Sequence, residues 1–416
     1  MAARTRSVLS IVVLLIVAGF ALLGRWYAGH HTQSALAPSA FTVAVTSSAD
    51  RGPGTLREAL FVADAAPAAA NVVIRVASIA LQSALPPIVN PHGTQVQAPP
   101  GGVQIDARAI APGSAVFDID SEHVSLDGVS IHQCAGTAIL VRASLFRLTA
   151  STISACDVGV EVAANANELA LENDRFESNH VGIRFTSSSR DSQIVKNEFS
   201  ANTTAGLWLV ASQAQPAADP ISVHDNQFNA DATDVVVGNV PALVENNDFT
   251  AVRDAAVHVI GAGTVVRNNR ITTGAAAGIL VENARGAVID GNELDHLAGY
   301  AILVRGSADT LVRSNRIQSC AYGMAFVLGD RQQPNSALDN SLIDLKYNGI
   351  DVIGESPILR RNQVLEARAL PLHVQDFTSP GGTLVRAQPL LERNSFQTTK
   401  ASSPVAGTAA AQTAPH

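Results

Sequence analysis

The stretch "VIDGNELDHLAGYAILV", residues 288–304, crowds Asp290, Glu293, Asp295 and His296 into seven positions. Read alone, three carboxylates and an imidazole suggest an acid/base site. Set beside its neighbours, the stretch becomes one rung of a repeat. "VKNEF", "HDNQF", "ENNDF", "RNNRI", "DGNEL", "RSNRI", "LDNSL", "RRNQV" and "ERNSF" each give an Asn, any residue, then an apolar residue. The aligned residues are Asn197, Asn226, Asn247, Asn269, Asn292, Asn315, Asn340, Asn362 and Asn394. Upstream, Asp174, Ser151 and Val129 fill the same slot at spacings of 23 and 22. A second line follows the Asn slot ("VGIRF", "AGLWL", "AGILV", "YAILV", "YGMAF", "NGIDV"), in which a turn-forming or small residue precedes alternating apolar positions. Each repeat therefore holds two or three short strands of period two, and no helical periodicity interrupts them.

A unit this short cannot bury its own apolar face, so it must stack on its neighbours. Stacked coils sit about 4.8 Å apart, and twelve of them between Val129 and Phe396 make a rod of roughly 55 Å. The Asn residues are expected at a turn, in the left-handed backbone region, with their amides bonded along the stack. The apolar residue two positions later (Phe176, Phe199, Phe228, Phe249, Ile271, Leu294, Ile317) is expected to form an inward column.

On these lines the sequence resembles the right-handed parallel β-helix repeat family, which includes pectate lyase-like proteins. The resemblance covers about residues 120–397 and implies an all-β solenoid of about 12 or more coils, without implying an activity. Before it, "VTSSADRGPGTLREAL" resembles the Ser-Leu-Arg-Glu-Ala segment that opens many secreted bacterial β-helix proteins, with Thr55 in place of Ser. That resemblance implies a short amphipathic helix covering the open end of the solenoid, as an exposed sheet edge requires.

The domain reading is then a stub, membrane anchor or signal, and linker at 1–38, a cap and first coils at 39–119, repeats at 120–397 and a disordered tail at 398–416. Arg4 and Arg6 precede an apolar run from Val8 to Leu23 that Arg25 closes. The run reads as a secretory signal or, preferably, a retained anchor at a bacterial inner membrane. In either case the positive flank places the rest of the chain in the periplasm or outside the cell. The chain of 416 residues is 47% hydrophobic and 15% charged, with net charge −8 and only 5% aromatics. That composition supports many thin core layers and excludes a nucleic-acid partner.

The charges fall into two readings. Glu245, Arg267, Asp290 and Arg313 precede the ladder Asn by two, and Asp248, Arg270, Glu293 and Arg316 follow it by one. Both columns alternate in sign coil by coil, which reads as a charge ladder that avoids stacking like charges. Asp295 and His296 lie outside these columns, and neighbouring copies carry Thr272-Thr273 and Gln318-Ser319 there. They are the weak catalytic candidates, either an acid/base pair or a polar turn.

The outward position of the second line supplies the ligand-binding candidates Glu161, Arg184, Trp208, His258 and His373. A Trp beside Arg and Glu suits stacking on a sugar ring, while Glu161 and Arg184 are equally readable as a salt pair between coils. The long segments "SQAQPAADP", "GDRQQPNS" and "DFTSPGGT" all follow that line and would build one wall of a groove. Cys134 and Cys156 fall in one column on adjacent coils, a spacing compatible with a disulfide, and Cys320 has no partner. No metal-ligand spacing and no cofactor motif occurs.

An Asp cluster for Ca²⁺, the converging Asp residues of polygalacturonases and the Asp-Pro-His-Asp motif of mannuronan epimerases are all missing. The sequence favours a membrane-tethered β-helix that binds or scaffolds a polysaccharide, with export or surface-assembly proteins as partners. A polysaccharide lyase or uronate epimerase is the alternative, and an adhesin-like rod the third reading.

Overall fold

The structure is a computed structural model that describes residues 41–163, 166–211 and 219–398. The apolar run at Val8–Leu23, the tail and most of the first long insertion lie outside the described residues. Among the described residues no helix is long and apolar enough to cross a membrane.

Phe41–Thr398 winds into a parallel β-solenoid. Its three sheets hold 15, 14 and 12 strands, and each strand pairs in parallel with its equivalent on the next coil. We call the strands sheet 1, sheet 2 and sheet 3 in the order the chain visits them. One coil runs through Ala170–Glu172 in sheet 1, Arg175–Glu177 in sheet 2 and Val181–Phe185 in sheet 3. The next, through Gln193–Val195, Glu198–Ser200 and Ala205–Val210, lies in register on it.

Two of the three corners are built from single left-handed residues. At the first corner two residues separate the strands. The first of them is left-handed, as at Lys196 (φ 56°), Asp225 (φ 57°) and Asn246 (φ 54°), and the second is the ladder Asn. This corrects the expectation that the Asn itself takes the left-handed conformation. The ladder Asn must aim both its N–H and its amide along the coil axis, so its predecessor makes the bend. Asn226 Oδ1 accepts from Asn197 N at 2.9 Å and Asn197 Nδ2 at 3.1 Å, while Asn226 Nδ2 donates to Ile194 O at 2.8 Å. The same bonds recur along the column to Asn394. Each buried amide is thereby satisfied, which a buried polar group requires. The third corner, from sheet 3 back to sheet 1, varies from three residues between Gly238 and Ala242 to fourteen between Gln375 and Leu390.

Inside, the expected column is fully buried, and Phe176, Phe199, Phe228 and Phe249 stack with ring centroids 5.1, 4.7 and 4.8 Å apart. Cys134 and Cys156 form a disulfide between adjacent coils, with Cα atoms 4.5 Å apart, and Cys320 is a buried free thiol.

At the N-terminal end, helix α1 (Leu56–Asp64) packs on the first coil through Leu56, Ala59, Leu60 and Ala63. Thr55 caps it, its hydroxyl accepting from Glu58 N, and Glu58 returns a bond from Gly54 N. The first bond satisfies an orphan donor of the first turn, and the second ties the residue before the cap to the helix.

Candidate functional site

Sheet 3 carries the outward column. Glu161, Arg184, Trp208, Val236, His258, Leu280, Leu303, Ala325, Asp351 and His373 align through successive parallel pairs. Four coil steps, about 19 Å, separate Glu161 from His258, and five more, about 24 Å, separate His258 from His373. The five ligand-binding candidates therefore share one face but form two groups.

In the first group Arg184 Nη2 donates to Glu161 Oε2 at 2.8 Å, so this pair is bonded between coils beside the half-buried Trp208. His258 lies 3.3 Å from the Glu282 carboxylate without an aligned hydrogen bond, and Glu282 is also paired with Arg305. Burial holds the His258 imidazole below its usual range, against the opposing pull of Glu282.

The second group is more elaborate. Asp351 points outward yet is 2% exposed. Its Oδ1 accepts from Asn348 Nδ2 at 2.8 Å and bonds His373 Nδ1 at 2.8 Å; its Oδ2 accepts from the Tyr300 hydroxyl at 3.0 Å. Tyr300 reaches across two coils to do so, and burial with the Asp351 charge raises its hydroxyl pKa above the usual range. Tyr300, Tyr322 and Tyr347 stack along the solenoid with centroids 4.7 Å apart, and the Lys346 ammonium lies 5.3 Å from the Tyr347 ring centroid. With Nδ1 bound to a carboxylate, the second ring nitrogen of His373 is the one available for proton exchange or a ligand hydroxyl.

Asp295 and His296 compare poorly with this dyad. Asp295 aligns with Thr272 and Gln318 on sheet 2, and His296 is the left-handed residue of the second corner (φ 56°). Their atoms approach to 2.8 Å without an aligned hydrogen bond; His296 is exposed and Asp295 half-buried, its Oδ1 covered. Each borders a different shallow depression. Asp295 lines one of about 250 Å³ with Arg270, Glu293 and Arg316, and His296 lines one of about 420 Å³ with Lys346, Tyr347 and Arg368. In the charge ladder, Arg267 bonds Glu245 at 2.6 Å and Arg313 bonds Asp290 at 2.8 Å.

The tyrosine stack was missed in the sequence, although three of the four tyrosines fall on consecutive coils at spacings of 22 and 25. A second amide ladder, Asn179–Asn202–Asp231, was missed as well; Asn202 N and Nδ2 donate to Asp231 Oδ1 at 2.6 and 2.8 Å. Burial pushes the Asp231 carboxyl up to about 7 and the neighbouring Asp234 well above its ordinary value. No group of three His, Cys, Asp or Glu able to hold a metal occurs among the described residues.

A family model described as "right handed beta helix region" matches residues 104–231 and 213–364. The chain belongs to the right-handed β-helix family. No curated protein matches this β-helix chain in sequence. Among solved structures, the tailspike protein of E. coli bacteriophage HK620 aligns over 85% of the chain and 78% of its own, with 11% identity and a TM-score of 0.54. The catalytic unit of a GH87 α-1,3-glucanase from Streptomyces thermodiastaticus aligns over 87% and 70%, with 14% identity and a TM-score of 0.47. The A-module of a mannuronan C-5 epimerase from Azotobacter vinelandii aligns over 85% and 98%, with 12% identity and a TM-score of 0.47. Likeness at this level concerns the fold of the β-helix alone.

Proposed function

We propose that this β-helix protein binds a polysaccharide along sheet 3, as an extracytoplasmic chain tethered by its N-terminal apolar run. The observation that carries the reading is the tyrosine stack, a run of partly exposed ring edges repeating every 4.7 Å beside the outward column. Such edges offer apolar area to a sugar, and the hydroxyls of Tyr322 and Tyr347 offer it hydrogen bonds, while that of Tyr300 is held by Asp351. Trp208, Arg184 and Glu161 offer a second such place on the same column. A screen of immobilised glycans identifies the ligand. Trp208→Ala and Tyr322→Ala are then each expected to weaken its binding about tenfold, equivalent to about 1.4 kcal/mol. Unchanged affinity in both variants would defeat the proposal.

The Asp351–His373 bond favours an enzymatic second reading, a lyase or uronate epimerase in which His373 exchanges a proton with the sugar. Purified protein would then release unsaturated or epimerised uronate products, and His373→Ala would abolish them while leaving glycan binding measurable.

A further inference from the structure

The two ends of the solenoid are finished differently. At the N-terminal end α1 lies over the first coil, and the inward residues Val45 and Val72 are wholly buried. At the C-terminal end the inward columns run out into solvent. Leu391 continues the column of Leu359 but is 48% exposed, and Val374 continues that of Val352 but is 43% exposed. Leu372 and Phe396, above Ile350 and Val364, are only partly covered. Three strands, Leu372–Gln375, Leu390–Glu392 and Ser395–Thr398, each end their sheet with one partner and, among the described residues, a free edge. Apolar core positions and three open edges on one surface are the combination that folded chains ordinarily cover.

We infer that a second copy of this chain covers that end, the two C-terminal coils meeting tail to tail about a two-fold axis. Three observations select this occupant. Residues 399–416 contain Val405 as their single large aliphatic residue, with two prolines, so they offer little apolar area and few good strand-formers for the open edges. Helix α1 occupies the opposite end, so head-to-tail stacking is blocked and the association closes at two copies. A two-fold axis perpendicular to the long axis of the solenoid reverses the direction in which the strands cross the shared end, so strands from the two copies meet antiparallel, a pairing open to strands of separate chains. The rim carries both signs, with Arg386 and Arg393 exposed near Asp376 and Glu392, so like charges need not oppose one another.

The test is sedimentation velocity of the full chain in non-ionic detergent, over a concentration series reaching tens of micromolar. The expected species has twice the chain mass. Leu391→Glu and, on a different sheet, Val374→Lys are each expected to halve that mass, with the circular dichroism and melting of the coils retained. A monomer at all concentrations overturns the proposal, as does a dimer that neither substitution disturbs. A chain that is monomeric when complete and becomes dimeric only when cut after Thr398 also overturns it, because the tail is then the natural cover.

Discussion

Two aromatic stacks run along this solenoid at nearly the same spacing, and they do opposite things. Phe176, Phe199, Phe228 and Phe249 lie inside, with interplanar angles of 13°, 6° and 11°. Tyr300, Tyr322 and Tyr347 lie on the surface, tilted by 32° and 26°. The coil spacing sets the distance in both cases. What differs is the direction of the position, inward in sheet 2 or outward where the chain enters sheet 3, at the first strand residue for Tyr300 and Tyr322 and in the corner just before it for Tyr347. The repeat therefore supplies the period, and its inward positions become core. Its outward positions are free to carry polar tips.

The largest effect should come from breaking the inner stack. Phe228→Ala removes a wholly buried ring between two others and is expected to cost about 4 kcal/mol of unfolding free energy, seen as a lower denaturant midpoint.

Next comes the carboxylic acid that ends the second amide ladder beside that stack. The Asp231 carboxyl is held up to about 7 by burial, above the ordinary aspartate value of 3.8. Its folded pKa is raised, so its contribution to stability is intact below about pH 4 and is lost as the pH rises through 7. Asp231→Asn restores the amide found at Asn179 and Asn202. It should match the wild type near pH 4 and exceed it near pH 8.5 by on the order of 3 kcal/mol in urea unfolding.

The outer stack should respond differently. Tyr322→Ala is expected to cost only about 1 kcal/mol of stability, since the residue is only partly buried, whereas its effect on glycan binding is about tenfold. A stability loss equal to that of Phe228→Ala would show that the tyrosines are core in all but position. The smallest effect belongs to the charge ladder. Arg267→Ala, which breaks a pair with Glu245, should cost no more than about 0.5 kcal/mol, and salt should reduce even that.

The inner stack was legible in the sequence because Asn, any residue, apolar is a fixed three-residue phrase at a corner of constant length. The same regularity placed Glu161, Arg184, Trp208 and His258 in one column. Tyr347 was not legible, because five residues after the buried Leu342 the second corner lengthens and the strand starts only at Ile350. The bond from Tyr300 to Asp351 spans 51 residues and two coils, a distance at which periodicity says nothing of side-chain reach. Asp231 was hidden for another reason: its ladder has only two amides above it, too few to register as a repeat.

The unequal corners have a consequence for how the chain tolerates rewriting. At the first corner one left-handed residue and one Asn leave no slack. A single residue added there would put each following strand of that coil out of phase and turn a residue such as Phe176 to solvent. The third corner already ranges from three residues to a fourteen-residue excursion containing its own hairpin, Phe377–Thr378 with Leu384–Val385. New peptide can enter there as a parenthesis, closed before the next rung begins, and the solenoid resumes its count.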